Sequence, residues 1–159
     1  MKMLEKRLLL FLSIVVILLS NQTYSQQTNL DSVLAFLSGK EKLMLEYHQD
    51  FTNYFQSFEN NTSEREIVND ILGIINTTGD DLDASHSLLY VYKLISKDDR
   101  VKIFSVIKVT FKYYLDRLNE SIRYLDNQVA FTKSVAVATS GANLRKELRE
   151  IKNFYEIFL

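Results

Sequence analysis

The chain has 159 residues, no cysteine, no proline, four glycines and a formal net charge of −1 from 19 basic and 20 acidic residues. The length suits one domain with a sizeable core. The missing cysteines exclude disulfide support and thiol chemistry, and the balanced charge is not that of a nucleic-acid-binding protein. An average chain this long would carry about eight prolines. Their absence, with so few glycines, removes the residues that interrupt helices and predicts an all-α protein.

At the N-terminus, Lys2, Lys6 and Arg7 precede an apolar run from Leu8 to Leu19 that only Ser13 interrupts. A charged start, a short apolar middle and a small residue at the exit are the pattern of a secretory signal peptide. Thr23 and Ser25 place the cut after Ser25, leaving Gln26 as the new N-terminus. The rival reading is an uncleaved anchor, but the run falls short of the roughly 20 apolar residues of a spanning helix. No cysteine stands near the exit for lipid attachment. The expected organisation is a cleaved signal over 1–25 and a single helical-bundle domain over 26–159. That domain is exported to the periplasm or exterior, with no stable membrane span after cleavage.

Charge is uneven along the expected domain. Residues 26–96 hold four basic and eleven acidic groups, net −7, whereas residues 97–159 hold twelve and eight, net +4. Two halves packing face to face would explain this, as would a basic surface for an acidic partner.

From Leu30 the apolar residues recur every seven positions at Leu37, Met44, Phe51 and Phe58, the heptad of a long packed helix. Lys40 and Glu41 break the pattern just after Gly39, and Ser38 with Glu41 fits a capping box. A helix over 30–59, kinked or restarted at Gly39, is therefore expected. Ser63 with Glu66 opens a second helix, which Asn76-Thr77-Thr78-Gly79 ends. Asp80 or Asp81 then caps a third that runs to about Lys97. Leu88–Ile95 is rich in β-formers, but a lone strand would have no partner.

Ser96 with Asp99 caps the most regular element. Phe104, Ile107, Phe111, Leu115, Leu118, Ile122, Leu125 and Val129 step three and four at a time, predicting one helix over about 98–138. Ser140-Gly141 marks a reversal into a last helix over 142–159. The fold class is an all-α antiparallel helical bundle around this long helix.

Chemistry is sparse. His48 and His86 are the only histidines, and neither has Glu three residues before it as di-iron bundles require. Asp80, Asp81 and Asp83 fail the calcium-loop pattern, since the sixth position from Asp81 is His86 and the twelfth Tyr92. Helix capping and dipole complementation account for them better. No catalytic residue, metal ligand or cofactor site emerges.

Two features stand as candidate function carriers. The aromatic residues Tyr47, Phe51, Phe55, Phe104 and Phe111 are core by spacing, or else line a pocket for an apolar molecule or lipid. The uncharged stretch with Val135, Ala136, Val137, Ala138, Gly141 and Ala142 is a tight helix crossing or a contact patch. The sequence thus points to an exported, non-enzymatic bundle acting through an unknown protein partner, with self-association open because extended heptads pair between chains as well as within them. The alternative is a carrier or sensor holding an apolar ligand.

Overall fold

The computed structural model describes residues 23–159, with side chains from Leu30 onward. Four helices fill this span: α1 (Thr23–Ser57), α2 (Thr62–Leu94), α3 (Lys97–Phe131) and α4 (Val135–Ile157). The apolar run at 8–19 lies outside the described residues, and Ser25 and Gln26 fall in the first turn of α1. Among the described residues, no helix is long and apolar enough to cross a membrane.

Cross-helix contacts fix the topology. Asp31 pairs with Lys93 and Glu41 with His86, so α1 and α2 are antiparallel. Asp70 meets Tyr124 and Tyr92 meets Phe104, so α2 and α3 are too. Asp126–Arg145 and Phe111–Phe158 do the same for α3 and α4. Tyr54–Ser140 and Phe36–Phe154 close α4 back onto α1. The result is an up-down-up-down bundle in which every helix runs antiparallel to both neighbours.

The core follows the heptads. Leu30, Leu37, Met44 and Phe51 of α1 are buried, as are Ile107, Phe111, Leu118, Ile122 and Leu125 of α3. Around Phe111 the interior is aromatic: its ring lies 5.1 Å from Tyr155 and from Phe158 and 5.9 Å from Phe154, which stacks on Phe36 at 5.2 Å. Offset and edge-on rings at this spacing fill volume with favourable quadrupole contacts.

Several boundaries differ from those expected. α1 runs through Gly39 without restarting. Lys40, which breaks the heptad, sits at a buried seam position and carries its ammonium to Glu147 at 2.5 Å and Glu150 at 2.7 Å on α4. A long aliphatic stem allows this, packing along apolar surface while the charge reaches its partners.

Likewise α2 passes through Asn76–Gly79 unbroken and stays helical to Leu94. Thr78, Asp81 and Ser85 continue its buried stripe between Ile75 and Leu89, so Asp80 and Asp81 are interior helix residues rather than caps. The α2 cap is Asn61, whose side chain accepts from the Glu64 amide at 3.2 Å, two residues before the expected Ser63.

The long helix ends at Phe131, seven residues early. The reversal is Thr132-Lys133-Ser134, and Ser134 caps α4 by accepting from the Val137 amide at 3.3 Å. Val137 and Gly141 then begin the α4 stripe that continues through Leu144, Leu148, Ile151 and Tyr155. The expected cap at Ser96 is present, accepting from the Asp99 amide and donating to its carboxylate at 2.8 Å.

Candidate functional site

The buried stripe of α2 carries a polar cluster at mid-bundle. Ser85 Oγ donates to the Asp81 carbonyl at 2.6 Å and lies 3.0 Å from the Tyr155 hydroxyl. Asp81 Oδ1 stands 3.3 Å from Arg117 Nη1 on α3. Burial raises the Asp81 carboxyl to about 6; Arg117 opposes this and Asp80 adds to it. Burial also pushes the Tyr155 hydroxyl far above its ordinary value and the Tyr114 hydroxyl upward. A phenol held protonated, with a carboxylate already engaged by a guanidinium, supplies no activated nucleophile. The cluster's chemistry is that of a polar network in which Ser85, Tyr155, Asp81 and Arg117 each have a partner.

No family model, curated protein or solved structure matches this chain.

The aromatic candidates do not gather. Phe51 and Phe111 are fully buried, while Tyr47, Phe55 and Phe104 are half-buried. Phe55 lies beneath the Arg65 guanidinium at 4.3 Å beside the α1–α2 turn. Phe104 lies against Tyr92 at 6.2 Å beside the α2–α3 turn, at the opposite end of the bundle. Tyr47 faces the α4 side, its hydroxyl raised by burial, then by Glu147 and Asp50. The five residues are spread along one continuous core rather than gathered around a shared pocket.

The small-residue stretch divides between two faces of α4. Val137 and Gly141 are buried, whereas Val135, Ala136 and Ala142 are exposed and Ala138 is intermediate. A Cβ on Gly141 would stand 2.4 Å from Val129 Cγ2, so the glycine lets α3 and α4 approach closely. Among the described residues, no group of three or more His, Asp or Glu side chains is placed to hold a metal ion. His86 Nδ1 instead lies 3.0 Å from Glu41 Oε1.

The surface feature that stands out is on α3. Val106, Val109, Tyr113, Tyr124 and Phe131 are exposed along its outer side, half a turn from the buried stripe. Phe131 is 74% exposed and Val109 73%, too open to count as rims of the core. Sequence reasoning follows the inward stripe and passes over Val106, Val109 and Phe131. Tyr113 and Tyr124, which fall off that stripe, are the signal that a second one exists.

Proposed function

We propose that this chain is an exported, non-enzymatic helical-bundle protein that acts by protein–protein contact in the cell envelope or exterior. The observation that carries this reading is the row of exposed apolar side chains along α3. Large apolar residues lined up on the outside of a well-packed bundle are disfavoured unless another surface covers them. The signal-like pattern at Lys2–Ser25 supports export. The aromatic interior supports a contact role over a carrier role, since Phe111, Phe154, Tyr155 and Phe158 pack on one another.

The test is chemical crosslinking in the native envelope fraction followed by mass spectrometry, comparing the natural chain with a Val109→Glu/Phe131→Glu variant. The expected result is crosslinked species in that fraction that disappear in the variant. A chain recovered alone, or the same species from both chains, would overturn the reading.

A further inference from the structure

The side of α3 that borders α2 carries a second heptad seam, with Arg117 bonded to Asp81 and the Tyr124 hydroxyl donating to Asp70 across that border. Positions 106, 110, 113, 117, 120, 124, 127 and 131 alternate steps of four and three, which holds them on one stripe of the helix. They read Val, Thr, Tyr, Arg, Glu, Tyr, Asn and Phe. The series is matched end to end. When it is reversed about the point between Leu118 and Asn119, Val106 falls opposite Phe131, Thr110 opposite Asn127, Tyr113 opposite Tyr124 and Arg117 opposite Glu120. Each pairing sets apolar against apolar, polar against polar, or cation against anion.

We propose that this face binds the same face of a second copy of the chain, with the two α3 helices antiparallel about a two-fold axis at the middle of the helix. The proposal rests on the contact reading above and names the partner. A two-fold contact requires a patch complementary to itself under end-for-end reversal, and this stripe meets that condition at all eight positions. A slip of one heptad sets Arg117 against Tyr113 and Phe131 against Asp99, so the charges select the register. Glu120 is exposed and has no ion-pair partner among the described residues. The Arg117 side chain is 34% exposed and touches Asp81 through one nitrogen, leaving donors of its five for a carboxylate from outside. A groove of about 600 Å³ opens at the middle of the seam, with Arg117, Glu120, Tyr124 and Asn127 in its lining. It gives the opposing side chains room to enter between α2 and α3.

Because the chain has no cysteine, single thiols can be placed at will. Full-length chains carrying Tyr113→Cys and Tyr124→Cys under different tags are co-expressed and treated with a short thiol–thiol crosslinker. The expected product is the mixed dimer, with little from either variant alone. Adding Val106→Glu and Phe131→Glu to both chains, which sets carboxylate against carboxylate at both ends of the seam, should abolish it; the two side chains are 50% and 74% exposed, so the fold is not at stake. Equal yields from Tyr113→Cys alone would mean parallel or random contact and overturn the proposal, as would a crosslink that survives the glutamates. If no mixed dimer forms while envelope crosslinking still captures another protein through Phe131, the self-pairing is wrong and the contact reading stands. If neither forms, both fail.

Discussion

Gly141 and Asp81 are the two residues whose neighbours dictate their chemistry most narrowly. An alanine at 141 would gain helix propensity but place its Cβ inside the Val129 side chain, and valine is stiff at χ1. Gly141→Ala is expected to lower stability by about 1–3 kcal/mol through overpacking. Gly39 and Gly73 have nothing within 4 Å of an added Cβ, so alanine there should raise stability by about 0.5–1 kcal/mol. Urea unfolding of the three variants separates the two cases, and a stabilising Gly141→Ala would refute the close crossing. Asp81 works through charge. Its carboxyl titrates near 6 in the fold against an ordinary 3.8, so the folded chain holds more protons than the unfolded one between those values. Stability from this group is therefore greatest below about pH 4 and falls as pH rises toward 6. Asp81→Asn is expected to flatten that slope and raise the melting temperature at pH 7, the effect being at most about 3 kcal/mol at 1.36 kcal/mol per unit. Arg117, partly in water, tolerates the loss of its partner. A steeper slope in the variant would show that burial does not dominate at this carboxyl.

Helices are held at their ends by groups that no local pattern announces. Glu64 is buried near the start of α2, and its two oxygens accept from Thr132 Oγ1 at 2.5 Å and the Lys133 amide at 2.7 Å. The α3–α4 turn is thus secured from another helix, where the expected capping box gave Glu66 the structural role. Glu64→Ala removes two charge-assisted bonds and leaves the part-buried Lys133 amide without its acceptor, at a cost of about 2–3 kcal/mol. Hydrogen exchange should show the first turn of α4 opening before the rest, and uniform protection across α4 would contradict the assignment. This also explains what the sequence revealed of the elements. The all-α class, the Ser96 cap and the α3 stripe were legible because each rests on local periodicity or side-chain-to-backbone bonding. The junctions at 76–79 and 132–134 were not. Asn76–Asp81 looks like a helix junction because the partner that makes Asp81 part of a buried stripe, Arg117, is 36 positions away. Val135–Ala138 looks like the tail of α3 because β-branched and small residues suit either side of a cap. The candidate surface was half legible: Tyr113 and Tyr124 depart from the inward stripe, whereas Val106 and Phe131 acquire meaning only once α3 is known to end at 131.

Across the whole molecule, the acidic first half becomes α1 and α2 and the basic second half α3 and α4, and the halves pack directly against each other. The ion pairs between them do not simply follow that division. Asp81–Arg117 does, but Lys40 reverses it by drawing in Glu147 and Glu150, so side-chain geometry rather than net field sets the contacts. Without disulfides, cohesion comes from seams that pass through all four helices, with the aromatic cluster near one pole and the Glu64 clasp near the other. Every neighbouring pair is antiparallel, α4 with α1 included, and the contact is densest between α1 and α2 and sparsest between α4 and α1. The start of α1 and the end of α4 lie at the pole where Leu30 and Phe158 are buried, and the α1–α2 turn at Glu59–Asn60 lies at the far pole. Linking the start of α1 directly to the end of α4 and cutting at that turn would keep every antiparallel contact, so the order of the helices along the chain is not itself a requirement of their packing.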